Sequence, residues 1–135
     1  MKANELMIGD WVKFPIGNER IIDLPYIMGK GICASFAASA TLFPVEVEKL
    51  EPTPLTPEIL EKNGFTHSFG ESDFYDYEKW EKKVDDKTIR VIKDHDGWFC
   101  RVDDIELTRS MGIVTGVHTM QNIIRIGGID ETIVV

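Results

Sequence analysis

The sequence is poor in cysteine and has no long apolar run. Its two cysteines, Cys33 and Cys100, lie far apart and fit no metal-binding or redox spacing. We therefore expect two buried thiols, with a disulfide between them as the other option. No stretch approaches the roughly 20 apolar residues that span a bilayer. The first residues also lack a basic segment followed by an apolar run, so we expect a cytoplasmic protein rather than a secreted one.

Motifs for catalysis and cofactor binding are equally scarce. The histidines, His67, His95 and His118, show no zinc-protease spacing, and no Ser or Cys lies in a nucleophile motif. No glycine pattern of the phosphate- or dinucleotide-binding kind is present. We therefore expect no cofactor and no metal, and the sequence favours a protein that is not an enzyme. A small hydrolase or nucleotide-modifying enzyme with a dispersed site is the alternative.

Basic residues are outnumbered by acidic ones. The 135 residues include 15 Lys and Arg against 23 Asp and Glu, for a net charge of −8. Residues 51–135 hold ten basic against seventeen acidic residues, a balance of −7, whereas residues 1–50 hold five against six. Because this charge repels phosphate backbones, it argues against nucleic-acid binding, which is the third function considered.

The clearest local signal is a short capped helix within residues 55–65. Thr56 is suited to the N-cap, and the proline that follows it fits the first helical position. Leu55 can pack on Leu60 from before the cap. Asn63-Gly64 predicts the end of the helix, because glycine adopts the left-handed conformation that such an end requires.

Residues before this helix predict a small β-rich unit. A turn at 9–10 leads into the strand formers of 11–14, and 20–23 can return beside them as a hairpin. This opening resembles the first strand of small SH3-like barrels. Residues 24–43 are undecided between a strand pair around a loop and a short helix. Residues 45–48 alternate Val and Glu, which predicts a strand with one buried face.

After the helix the sequence predicts an antiparallel meander. Polar turns at 85–86 and 94–97 separate runs of β-branched and aromatic residues. The predicted strands cover 74–77, 79–84, 88–93, 98–102 and 111–117. Ile105 and Leu107 are interpreted as apolar anchors of the polar connection between the last two strands.

A second helix, predicted over residues 117–126, is amphipathic and ends at a Gly-Gly pair. Val117, Met120, Ile123 and Ile124 form its apolar side, which we expect to be buried. The candidate ligand- or partner-binding residues form its other side: His118, Gln121, Asn122 and Arg125. We expect these four to face outward or into a groove, where they could hold a polar partner. A clasp that holds a loop is slightly favoured over a partner site, because a buried amide pair would explain this arrangement without a ligand.

The turn Asp94-His95-Asp96-Gly97 also invites interpretation as a metal site. Aligned on its glycine, it resembles part of a calcium loop. Ile92 would then stand where the first carboxylate belongs, and the flanking residues predict strands rather than helices. A plain hairpin turn is therefore the favoured interpretation.

A mixed aromatic and basic set lies on the predicted meander. Its members are Trp80, Lys82, Lys83, Lys87, Arg90, Lys93 and Trp98. Such residues could stack bases and contact phosphates. Acidic residues are interleaved with them, which favours a solvated sheet face instead.

Three segments carry a family resemblance. They are Met-Lys-Ala-Asn-Glu-Leu-x-Ile-Gly-Asp-Trp-Val at 1–12, Glu-Pro-Thr-Pro-Leu-Thr-Pro-Glu-Ile-Leu-Glu-Lys-Asn-Gly-Phe at 51–65, and Val-His-Thr-Met-Gln-Asn at 117–122. Together they resemble an uncharacterised family of short Bacteroides-type bacterial and phage-like proteins. That family more often has Leu at position 120 and an aromatic-rich continuation at 123–128. The resemblance implies a bacterial cytoplasmic setting and transfers no catalytic residue.

These observations predict an α+β fold. A small SH3-like β-rich subdomain over 1–50 precedes an antiparallel sheet with two helices over 51–135, and we expect one compact unit. The predicted function is that of a non-catalytic interaction module, which binds a protein partner in a mobile-element or phage-like system.

Overall fold

The computed structural model describes residues 6–7, 10–14, 17–24, 26–29, 31–36, 45–71 and 76–135. The chain forms two compact units. One comprises Met1–Pro54 with Gly116–His118, and the other comprises Leu55–Thr115 with Thr119–Val135.

The N-terminal unit is built on antiparallel strands. They are β1 (Trp11–Phe14), β2 (Gly17–Asp23), β3 (Tyr26–Ile27), β4 (Gly31–Phe36), β5 (Val45–Glu46) and β6 (Glu51–Pro52). The order in the sheet is β3-β4-β2-β1-β6, and β5 also pairs with β4. The predicted hairpin is confirmed, since Trp11 pairs with Arg20 and Val12 with Glu19. No ladder among the described strands closes this sheet into a barrel, so the SH3-like detail stays a prediction.

The described residues of this unit form an apolar core, and a buried carboxylate is also present. Its core residues are Leu6, Val12, Ile21, Ala34, Phe36, Val47 and Leu50. Asp10 is also buried, and its Oδ2 accepts the N–H of Met7 at 2.7 Å. The carbonyl of Asp10 accepts the N–H of Ile21 at 2.9 Å. Asp10 therefore closes the turn that leads into β1.

The structure settles part of the undecided region of this unit and corrects one predicted strand. The undecided region contains β3 and β4, which pair with each other through Tyr26 and Ile32, while residues 37–44 lie outside the described residues. The strand predicted over 45–48 is correct only for its first two residues. A 3-10 helix follows at Val47–Lys49, and the N–H of Leu50 bonds the Val47 carbonyl at 3.0 Å.

Helix α1 (Pro57–Lys62) opens the second unit as predicted. Thr56 is its N-cap, and the hydroxyl accepts the N–H of Ile59 at 3.3 Å. At the other end Gly64 has a φ of +84°, and the N–H of Phe65 bonds the Leu60 carbonyl at 3.1 Å. This is a Schellman motif, which satisfies the last helical carbonyls. Leu60 is fully buried.

The second unit contains a five-stranded antiparallel meander. Its strands are β7 (Thr66–Glu71), β8 (Asp76–Val84), β9 (Lys87–Asp94), β10 (Gly97–Asp103) and β11 (Thr108–Val114). They lie in the order β11-β10-β9-β8-β7, so each pairs with its neighbour in sequence. Strand β8 merges parts of two predicted strands, and residues 74–75 of the first lie outside the described residues. Strand β7 was not predicted.

Helix α2 (Val117–Ile126) begins and ends as predicted. Its end is a second Schellman motif, with Gly128 at a φ of +83° and the N–H of Ile129 bonded to the Ile124 carbonyl at 3.1 Å. Its predicted apolar side is buried. The helix lies close to the sheet, because a Cβ built on Gly127 would approach the Val102 side chain to 2.7 Å.

Pairs across the antiparallel ladders show which side of the meander this helix covers. Paired residues share a face, and successive residues alternate between faces. Trp80, Val91, Cys100 and Gly112 are paired in a row, and a Cβ on Gly112 would meet Ile123 of α2 at 3.2 Å. We name this side the covered face and the opposite side the open face.

The structure therefore confirms the α+β class. Both cysteines are free and buried, one in each unit. Among the described residues, no helix has the length and apolar character needed to cross a membrane.

Candidate functional site

The predicted polar stripe on α2 does not form an outward-facing site. Only 2% of His118 and 3% of Gln121 is exposed to solvent, so the prediction that they face outward is wrong for both. Asn122 and Arg125 are half-buried, and Arg125 Nη1 donates to Asn122 Oδ1 at 3.3 Å. Gln121 is covered because the chain returns over it after residue 128.

Gln121 is bonded to the backbone of that returning segment. Its Nε2 donates to the Glu131 carbonyl at 2.6 Å, and its Oε1 accepts the N–H of Ile133 at 2.7 Å. The side-chain amide thus bonds one backbone carbonyl and one backbone N–H, as a neighbouring strand would. Gln121 is therefore a structural clasp, which is the interpretation that the sequence slightly favoured.

Asn63, at the C-cap of α1, holds the same segment. Its Nδ2 donates to the Val134 carbonyl at 2.7 Å, and its Oδ1 accepts the N–H of Val134 at 2.8 Å. Lys82 adds an ion pair to Glu131 at 2.7 Å. The residues 129–135 are therefore part of the fold, with Ile129 and Ile133 buried.

The turn at residues 94–97 is the hairpin turn that the sequence favoured. Asp94 pairs with Gly97 across the β9–β10 ladder, and Asp94 Oδ1 accepts the N–H of Asp96 at 2.8 Å. One ligand atom from each of Asp94, His95 and Asp96 lies within 4.8 Å of the others. Turn geometry accounts for this clustering, since an Asp side chain commonly bonds the backbone two residues on.

The aromatic and basic set is divided between the two faces of the meander. The register places Trp80, Lys82 and Lys93 on the covered face and Lys83 and Arg90 on the open face. Trp80 is buried and stacks on His67, with ring centroids 4.5 Å apart. Lys93 Nζ lies 5.2 Å from the centroid of the Trp98 ring. The set therefore does not form one basic surface.

The open face carries a row of apolar side chains that sequence reasoning missed. Ile92 pairs with Phe99, and Phe99 pairs with Ile113, so the three lie side by side across β9, β10 and β11. Ile113 is 75% exposed, and Met111 on the same strand is 58% exposed. Single exposed apolar residues are ordinary, but a contiguous exposed group is typical of a contact surface. We name Ile92, Phe99, Met111 and Ile113 the apolar row.

A charged row lies beside the apolar row on the open face. Glu81 accepts from Lys79 at 3.0 Å and from Arg90 Nε at 2.9 Å. Asp103 accepts from Arg90 Nη1 and from Arg101 Nε, each at 2.7 Å. Because each arginine is oriented by a carboxylate, the charges of this row are held in fixed positions.

The protonation states of the charged row are fixed as well. Burial acts to raise the pKa of Glu81, but hydrogen bonds from Lys79 and Arg90 outweigh it and hold the pKa below its usual range. Burial opposes a lowered pKa at Asp103 too, yet the Thr108 hydroxyl and two arginines lower it. The hydrogen bond to Glu81 raises the pKa of Arg90. These groups stay charged near neutral pH and are poorly suited to transferring protons.

The sequence of β11 contains a pattern from which the exposed apolar residues of the open face could have been predicted. Its sequence Ser-Met-Gly-Ile alternates apolar Met111 and Ile113 with small Ser110 and Gly112. The small residues accommodate α2, because Ser110 Oγ donates to the Ile123 carbonyl at 2.7 Å. The apolar residues must therefore point to the other side.

The residues predicted as anchors do not pack. Ile105 is 90% exposed and Leu107 is 50% exposed, so that prediction is wrong. Asp104 organises this connection instead, since its Oδ1 accepts the N–H groups of Glu106 and Leu107 at 3.0 and 2.9 Å. A carboxylate that binds turn N–H groups leaves the neighbouring apolar side chains in solvent.

Comparison with known proteins places the chain in no group. No model of a known protein family matches it, and neither does any curated protein or any solved structure.

Proposed function

We propose that this protein is a non-catalytic interaction module that binds a protein partner through the open face of its meander. The observation that carries the proposal is the apolar row, where Ile113 and Met111 stand exposed beside half-buried Ile92 and Phe99. Protein interfaces commonly combine an apolar centre with a polar rim. The charged row supplies such a rim, already paired and oriented.

The positions of the reactive side chains support a binding role over catalysis. His67 lies on β7, where its ring stacks on Trp80, and His95 lies in the β9–β10 turn. Burial raises the pKa of the Cys100 thiol to about 12, so it carries almost no thiolate at neutral pH. A thiol in this state is a poor nucleophile, which favours a binding role.

The SH3-like character of the N-terminal unit belongs to this proposal. Its last strand, β6, follows a 3-10 helix and pairs with β1, and β1 pairs with β2. Strand β2 pairs with β4, and β4 with β5. That order is similar to the strand order of SH3-like barrels, which are frequent binding modules. The bacterial cytoplasmic and phage-like setting also remains part of the proposal.

Site-specific photo-crosslinking tests the proposal. A benzophenone amino acid at position 113, in protein expressed in the native host, should give one discrete crosslinked protein. The same amino acid at position 105 serves as the control, because Ile105 is also highly exposed but lies outside the open face. Met111→Asp should remove the crosslink from position 113 without lowering the melting temperature. Equal crosslinking from both positions, or none from 113, would overturn the proposal.

A further inference from the structure

We propose that a pocket at one end of the open face receives a lysine or arginine side chain of the partner. This inference rests on the proposed function and adds the chemistry of the partner. The pocket has a volume of about 280 Å³ and is lined by Ile92, Phe99 and Ile113 together with Asp94 and Asp96. It therefore joins the apolar row to the β9–β10 turn.

The size and walls of the pocket suit a single long side chain. Small-molecule sites usually enclose about 300–1,000 Å³, so this pocket is at the lower limit for a separate ligand. Its apolar lining consists of three residues of one cross-strand row together with Trp98. Lysine and arginine place their aliphatic stems along such surfaces while the charged end stays near polar groups.

The two carboxylates supply the polar end. Among the described residues, no lysine or arginine forms an ion pair with Asp94 or Asp96. His95 Nε2 lies 3.4 Å from Asp96 Oδ1, and this imidazole is cationic only when protonated. By contrast, the carboxylates of the charged row, Glu81 and Asp103, are both bonded to arginine. Of these four carboxylates, the two at the pocket are thus the ones that no lysine or arginine among the described residues neutralises.

The charge of the chain favours the same partner. Residues 51–135 carry a balance of −7, and this field accelerates association with a basic protein and slows association with an acidic one. The apolar row continues past the pocket to Met111, so the surface accommodates more than one side chain. The occupant is therefore a basic polypeptide segment rather than a free amine.

A peptide titration followed by NMR tests this inference. The probe is the synthetic peptide acetyl-Leu-Lys-Leu-Lys-Leu-amide, and its two comparators carry norleucine or glutamate in place of lysine. Norleucine keeps most of the stem and removes the charge. Two ion pairs at exposed positions should make the lysine peptide bind about threefold to tenfold more tightly than the norleucine peptide. The glutamate peptide should bind most weakly, and the amide signals of Asp94, Asp96 and Ile113 should shift.

Matched variants distinguish the effect of the two pocket carboxylates from the effect of the overall negative charge of the protein. Asp94→Asn with Asp96→Asn should remove the difference between the lysine and norleucine peptides. Asp85→Asn with Asp86→Asn removes the same charge from the exposed β8–β9 turn at the other end of the strands and should preserve that difference. Equal binding of lysine and norleucine peptides to the wild type, or no binding of either, would overturn the inference. The proposed function would not be affected by that result, because crosslinking from position 113 tests it separately.

Discussion

The clasp at Gln121 gives the sharpest test of the structure. Gln121→Ala removes the partners of the Ile133 N–H and the Glu131 carbonyl while the backbone around them stays packed. A buried polar group that loses its partner costs about 1–3 kcal/mol. Since Glu131 keeps partial access to water, we expect a loss of about 2–4 kcal/mol, or about 6–15 °C in melting temperature for a chain of this size.

Four further variants distinguish the clasp from a general packing defect. Asn122→Ala, one position along on a half-buried residue, should cost less, and the double alanine variant should lie near Gln121→Ala. In a chain truncated after Ile129, Gln121→Ala should cost much less, because the groups it bonds are gone. Gln121→Glu replaces the amide by a carboxyl group, which can donate a hydrogen bond to the Glu131 carbonyl only when it is protonated.

The sign of the pH effect follows from that burial. Burial raises the folded-state pKa of such a carboxyl above its unfolded value, so its penalty is present at pH 7 and disappears as the pH falls below the unfolded pKa. The difference in melting temperature between Gln121→Glu and the wild type should therefore narrow between pH 7 and pH 5. Differential scanning fluorimetry measures all of these variants. A Gln121→Ala melting temperature equal to that of the wild type, or a cost unchanged by the truncation, would refute the reasoning.

Four other predictions follow from the described contacts. Thr56→Ala should lower the free energy of unfolding by about 1 kcal/mol and Leu60→Ala by about 2–5 kcal/mol in urea unfolding, and a Leu60→Ala variant as stable as the wild type would contradict the packing of α1. Cys33 and Cys100 should react with a thiol reagent only after denaturation, so fast labelling of the native protein would contradict their burial. The folded-state pKa of Asp103 is lowered, so its contribution is present above about pH 4 and is lost as the pH falls through the folded value. Asp103→Asn should therefore destabilise the protein at pH 7 more than at pH 3 in urea unfolding, and an equal effect at both would show that the ion pairs contribute little. Random-sequence oligonucleotides should not bind in a fluorescence anisotropy assay at physiological salt, and sub-micromolar binding would overturn the charge argument.

The elements that could be predicted from the sequence are those fixed by neighbouring residues. The N-cap at Thr56, the left-handed Gly64 and the turns of the meander depend on interactions within a few positions, and all formed as expected. The alternation of apolar and polar residues was less reliable around Val47. A 3-10 helix there buries Val47 and Leu50, three residues apart, whereas the sequence alternation predicted a strand.

The candidate site depended on contacts that local patterns do not contain. Sorting the residues of α2 by polarity placed Gln121 on a solvated side, yet a segment ten residues later covers it. The isoleucines of that segment, Ile129 and Ile133, were the available signal, since apolar residues beyond a helix end require a place to pack. The open face was missed because strand prediction considered only which residues would be buried.

The positions of the two units along the chain determine when each unit can be completed during synthesis. Strands β7 to β11 each pair with the next strand in the chain, so this sheet forms by closing short loops one after another. The N-terminal unit contrasts with it, because it includes Gly116–His118 and the N–H of Val117 bonds the Thr53 carbonyl at 2.8 Å. Those three residues leave the ribosome only after the whole meander. The unit whose synthesis begins first is therefore the one whose last hydrogen bonds must wait for its neighbour to be made.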